Sequence, residues 1–196
     1  AEPYLNPCST YLPRERWASN VLWIYSPNGD GGFDGVAEIG WRKICTINGA
    51  SKRFFFAVSR QGVVNNDDYL DASLVPQTGA TYEFTMESMG NGRWIGKITG
   101  PGLGTGIEVS KTLNGFVSGS NIQTGGENMY DVPDMGVVGH KDVRFRLTNG
   151  STFTMINQPF SIAEVSGRYS IVAAQNYFQT RSNIHTGPTP TPVVNT

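Results

Sequence analysis

Two glutamates stand apart from the other ionisable side chains of this 196-residue sequence by what surrounds them. Glu38 lies in Val36-Ala37-Glu38-Ile39-Gly40-Trp41. Read as a strand, that segment puts Glu38, Gly40 and Arg42 on one face and Ala37, Ile39 and Trp41 on the other. Glu127 lies in Thr124-Gly125-Gly126-Glu127-Asn128, with Asp131, Asp134 and Met135-Gly136 close behind. Two glycines before a carboxylate leave the backbone open to close approach by a ligand, with their N–H groups sterically available. A carboxyl group is a general acid or base when its protonation is tuned by its surroundings. Without such tuning, a glutamate on a strand is simply a solvated side chain.

The other signatures of catalysis are missing. There is no GxSxG elbow, P-loop, HExxH or CxxC, and the histidines are His140 and His185 alone. Asn28-Gly29-Asp30-Gly31-Gly32-Phe33-Asp34-Gly35 alternates oxygen ligands with glycine as calcium loops do, with Asp30 and Asp34 as the candidate ligands. It lacks a bidentate glutamate at the EF-hand spacing, so a plain turn is the better reading, as it is for Asn65-Asn66-Asp67-Asp68 with Asp71. Cys8 and Cys45 are the whole thiol inventory, compatible with one disulfide in an oxidising compartment or with two buried thiols; the disulfide is favoured. Asn149-Gly150-Ser151 is a glycosylation sequon that overlaps a tight turn. Trp17, Trp23, Trp41 and Trp94, with Phe54, Phe55 and Phe56, read as core, although one or two could line a sugar-binding platform.

The elements that must position these residues read as strands. Segments near 17–26, 35–44, 53–60, 82–88, 93–99, 106–112, 116–123, 141–148, 151–157 and 167–176 are strand-like and separated by Gly/Asn/Asp/Pro clusters. Tyr82-Glu83-Phe84-Thr85-Met86 alternates, putting Tyr82, Phe84 and Met86 on one face. Gly90-Asn91-Gly92 and Asn149-Gly150 mark hairpins, because tight hairpin turns demand positive φ. No long helix is visible. Strands at this spacing predict an all-β protein, a two-sheet antiparallel β-sandwich or jelly roll. Three prolines mark residues 1–16 as an irregular N-terminal arm, residues 17–180 form the sandwich domain, and residues 181–196 are a Thr/Pro-rich tail.

Composition narrows the function. Lys and Arg number 15 against 16 Asp and Glu, which gives no basic surface for nucleic acid. Charged residues are only 16% and glycines number 24, as in turn-rich β proteins and unlike disordered chains or helical bundles. No apolar run approaches the ~20 residues of a membrane span. The sequence begins Ala1-Glu2-Pro3, as a chain does after signal-peptide removal, so a secreted, extracellular protein is expected.

Taken in order, Glu38-Ile39-Gly40-Trp41, Arg53-Phe54-Phe55-Phe56-Ala57, Gly125-Gly126-Glu127 and Met135-Gly136 resemble the motifs of the neprosin family of glutamic peptidases. The resemblance to the fungal eqolisins, which carry Gln at the first position, is more distant. It covers roughly residues 20–160. Residues 61–77 lack the cysteines of the family, and the segment between Glu127 and Met135 is short. The resemblance implies a concanavalin-like sandwich of two antiparallel sheets. It places Glu38 and Glu127 across a concave cleft as the catalytic pair, with Trp41, Gly125 and Gly126 at the substrate and oxyanion positions. Two carboxyl groups held ~3–5 Å apart in a partly dry cleft cannot both ionise cheaply and share a proton. The expectation is a cofactor-free hydrolase that cleaves polypeptides at acidic pH. The arm and tail support a second reading, a non-catalytic extracellular assembly protein whose partner is its own copies. A third reading is a carbohydrate-binding module.

Overall fold

Alternating apolar positions separated by glycine-rich turns produce strands and no helix among the residues that the computed structural model describes, namely 16–29, 33–46, 49–60, 68–128, 137–147, 150, 152–155, 169–174 and 177–182. In chain order they are β1 (Arg16–Pro27), β2 (Phe33–Thr46), β3 (Gly49–Arg60), β4 (Asp68–Tyr69), β5 (Glu83–Ser88), β6 (Arg93–Thr99), β7 (Ile107–Thr112), β8 (Asn121–Asn128), β9 (Val137–Lys141), β10 (Arg144–Phe145), β11 (Thr154–Met155), β12 (Tyr169–Ala174) and β13 (Tyr177–Ser182). One sheet has five strands in the order β4-β3-β2-β1-β8; the others are β5-β6-β7, β12-β13-β9 and the pair β10-β11. The expected all-β sandwich of antiparallel sheets is what forms. Residues 1–15 and 183–196, which include most of the arm and tail, lie outside the described residues.

The chain divides into two compact units. One comprises residues 19–43 and 51–125 and contains the sandwich. In it, Phe54, Phe55 and Phe56 are fully buried in succession, followed by Ala57 and Val58. Consecutive strand residues point to opposite faces, so a buried run of this kind requires β3 to be covered on both sides. On one side, Phe54 meets Tyr82 edge-on at 5.0 Å and Phe84 at 6.3 Å. On that same side, Phe56 and Ile39 close against Gly96 of β6, where an added Cβ would lie 2.7 Å from the Phe56 ring. The partner sheet is registered by Ser88↔Trp94 and Met86↔Gly96 between β5 and β6, and by Trp94↔Lys111 between β6 and β7. Trp94 ends this core by stacking on Phe116 at 4.7 Å and donating its indole N–H to the Phe116 carbonyl at 2.8 Å.

The Gly90-Asn91-Gly92 hairpin forms as expected, with φ of 77° at Gly90 and 81° at Gly92. Gly92 also accepts the Leu113 amide at 2.8 Å and has no room for a Cβ beside the Leu113 carbonyl. The strand expected at 116–123 begins later, at Asn121. Phe116 leaves the ladder to cap Trp94, and Ser120 N–H donates to the Tyr25 carbonyl at 3.0 Å.

The second unit comprises residues 1–18, 44–50 and 126–196. Its described part holds β9, β12 and β13, registered by Phe178↔His140 and Ala174↔Tyr177, and the β10-β11 hairpin closed by Gly150 N–H on the Leu147 carbonyl at 2.8 Å. Strands β9 and β13 had no counterpart in the sequence reading, which ended its last strand at residue 176.

Candidate functional site

The sandwich unit presents a second sheet face, on the side of β1–β4 and β8 away from Phe54 and Phe56. Its floor is apolar: Val21, Phe55 and Ala57 are buried together, with Trp23 and Tyr69 packed against them half-buried. Arg42 is 4% exposed and lays its guanidinium over the Phe55 ring, 4.5 Å from the centroid, while Nη1 donates to the Tyr69 hydroxyl at 3.4 Å. A cation that is packed over an aromatic ring and hydrogen-bonded by a phenol is held as a fixed positive charge.

Glu38 belongs to this face. Ile39 contacts the opposite core and Arg42 contacts Phe55, so alternation along β2 assigns Glu38 to the Arg42 side. It is half-buried. Gly40 abuts the Asn20–Val21 backbone of β1, where a Cβ would collide with the Asn20 carbonyl oxygen. The β1–β2 connection is too short for a parallel crossover, so the pair is antiparallel. Two residues back from Gly40, Glu38 therefore falls near Trp23.

On the other flank of β1, Tyr25 shares the parity of Trp23. Its phenolic oxygen accepts the side-chain amide of Gln123 at 2.8 Å and that of Asn121 at 3.2 Å, both from β8. Gly125 follows on the same parity, and a Cβ there would stand 3.8 Å from Trp23. The face thus brings together a half-buried carboxyl, an indole, a phenol with two carboxamides, and a buried guanidinium. Such a surface can hold an extended chain and offer one acid–base group to it.

The remaining sequence candidates separate. Trp41 is buried, at 7% exposure, and strand parity groups it with Ile39. Gly125 and Gly126 lie within β8, where consecutive amides point to opposite edges; at most one of the two can face away from β1. Glu127 is on β8, and its side chain lies outside the described residues, as does that of Cys45; Cys8, Asp30, His185, Asn149 and Ser151 lie wholly outside them. Asp34 is exposed, and among the described residues no group of three His, Cys, Asp or Glu is placed to hold a metal ion. Asp71 accepts the Ser73 amide and hydroxyl, each at 2.9 Å, and these hydrogen bonds hold its carboxyl below the usual value. His140 is buried in β9, and that burial pushes its imidazole down to about 3. Among the described residues no helix is long and apolar enough to cross a membrane.

Tyr25, Asn121, Gln123 and Tyr69 did not stand out in the sequence. The alternation of Val21, Trp23 and Tyr25 was a signal for one of them, but partners on β4 and β8 are joined to it only by strand order.

No protein-family model matches the chain, and no curated protein matches it. Among solved structures, aspergilloglutamic peptidase from Aspergillus niger superposes with a TM-score of 0.60 at 15% identity, over 85% of this chain and 98% of that one. Scytalido-glutamic peptidase with a peptide-based transition state analog superposes with a TM-score of 0.55 at 11% identity, over 85% of this chain and 83% of that one. The fold is similar to that of two glutamic peptidases. At these identities the likeness is one of fold, and the activity must be argued from side chains.

Proposed function

We propose that the chain is a glutamic-peptidase-like hydrolase that acts on polypeptides outside the cell at acidic pH, with Cys8 and Cys45 bridged. The observation that carries this reading is Glu38: a half-buried residue that strand parity sets on the Arg42 face of β2, in a fold similar to that of proteins named as glutamic peptidases. The finer, neprosin-like part of the reading pairs Glu38 with Glu127. One carboxylate removes a proton from water, and the water oxygen attacks the carbonyl carbon of the scissile peptide. The other carboxyl group donates its proton to the carbonyl oxygen. As the tetrahedral diol collapses, the C–N bond breaks, the proton taken from water passes to the leaving amine, and one diol hydroxyl returns its proton to the carboxylate that had donated one, which leaves a carboxylic acid and restores the pair. A strand amide at Gly125 or Gly126 supplies a donor for the oxyanion.

Hydrolysis of an unfolded protein substrate between pH 3 and 7 tests the proposal. Wild type is expected to cleave best on the acidic side, and Glu127→Gln to lower kcat/KM by about 10²–10⁴-fold, the scale of a positioned acid–base group. Equal rates in the two proteins, or an inert wild type, refute it.

A further inference from the structure

The group formed by Tyr25, Asn121 and Gln123 has chemistry of its own, and we propose that it is a subsite for a carboxamide side chain, that of glutamine, on an extended peptide. The inference rests on the peptidase reading for its substrate and deepens it.

Two side chains of β8 converge on one phenolic oxygen of β1. The Tyr25 hydroxyl oxygen accepts from Gln123 at 2.8 Å and from Asn121 at 3.2 Å, which fills its lone pairs and leaves its O–H to donate outward. Each carboxamide keeps a carbonyl oxygen and a second N–H for another partner. Asn121 and Gln123 are exposed, so these groups are reachable. The trio therefore presents adjacent donors and acceptors and no charge. The two carboxamide oxygens oppose the negative charge of a carboxylate and the three N–H and O–H donors oppose an ammonium, whereas a carboxamide supplies one C=O and one N–H together. Trp23 lies one step along β1, where the methylenes of a glutamine find an apolar surface; asparagine is too short to use both. Gly125, beside Trp23, leaves the approach open.

Position on the sheet sets the register of such a peptide. Glu38 is on β2, Trp23 and Tyr25 on β1, and Asn121 and Gln123 on β8, which are neighbours in the order β2-β1-β8. Two strand spacings are about 10 Å. An extended chain covers about 3.3–3.6 Å per residue, so the glutamine stands about three residues from the bond that Glu38 serves.

Matched fluorogenic peptides carrying Gln, Glu or Leu at the third and fourth positions on either side of the cleaved bond test this. Wild type is expected to favour Gln over Leu by about tenfold in kcat/KM, the scale of one net hydrogen bond, and over Glu by as much at about pH 6, where the glutamate of the peptide is ionised. The ratio is expected to fall to about one in Gln123→Ala and in Tyr25→Phe, which keeps the ring. Asn121→Ala, at an exposed position, is expected to lower it in part, with thermal melting to show that each variant folds. A Gln preference that survives these substitutions, or none in wild type, overturns the subsite while leaving the hydrolase reading intact. Anisotropy of the same peptides, labelled and bound to Glu127→Gln protein, separates the opposite case. Gln-selective binding that needs Tyr25 and Gln123, without hydrolysis by wild type, upholds the subsite and removes the hydrolase. Displacement of the bound peptide by a neutral oligosaccharide such as maltoheptaose reassigns the trio to a glycan and overturns the proposal.

Discussion

Glu38 can be separated from its proposed partner by the shape of a pH profile. If two carboxyl groups share one proton, activity falls as pH rises through the upper apparent value of the pair, because the second proton leaves and no donor remains. A carboxamide at position 38 still donates a hydrogen bond to the substrate carbonyl and does not titrate. Glu38→Gln is therefore expected to keep a measurable fraction of kcat and to lose the alkaline limb, extending activity toward neutral pH. Stopped assays from pH 3 to 8 read this directly; an unchanged alkaline limb shows that position 38 does not hold the shared proton. At this scale the sequence was informative about Glu38 and Arg42, because strand parity is local. The resemblance set Trp41 at the substrate. The same parity put Trp41 with Ile39, and the structure buries it there.

Strand positions and hairpins were legible wherever the pattern was local. The Gly90-Asn91-Gly92 turn sits between the alternating halves of β5 and β6, and its register follows from turn length. The packing of those strands on β2 and β3 was not legible, since it depends on residues such as Gly96. In sequence Gly96 is a weak spot in a strand; in the fold it is where the Phe56 ring and the Ile39 side chain close on the backbone. Phe56 is fully buried and has nowhere to move. Gly96→Ala is expected to cost about 1–3 kcal/mol through overpacking, outweighing any gain in strand propensity. Urea midpoints would check it, with a melting temperature lower by about 2–4 °C for each kcal/mol lost. A stabilised variant would mean that the two sheets part more easily than the contact distances indicate.

For the whole molecule, His140 limits how far the folded protein can be acidified. Its imidazole is lowered by burial from 6.5 to about 3, so the unfolded chain binds a proton between these values and the folded chain does not. Above pH 6.5 the group is neutral in both states and favours neither. As pH falls from 6.5 toward 3, stability is lost by several kcal/mol in the limit. Unfolding free energies measured from pH 8 to 3 are expected to show this slope in wild type and a shallower one in His140→Gln. Equal slopes would show that the imidazole is not the group being charged. Composition could not announce this, since a histidine in a Gly-His-Lys segment looks solvated until β13 pairs beside it with Phe178 opposite.

The fold class, the Gly90-Asn91-Gly92 hairpin and the parity that groups Glu38 with Arg42 follow from period-two patterning and turn chemistry, which act over a few residues and are written along the chain. Which strands become neighbours is a different matter. The meeting of Tyr25 with Asn121 and Gln123, of Arg42 with Tyr69, and of Gly96 with Phe56 joins residues far apart in sequence. Those meetings are selected by burial and steric fit of the folded chain as a whole.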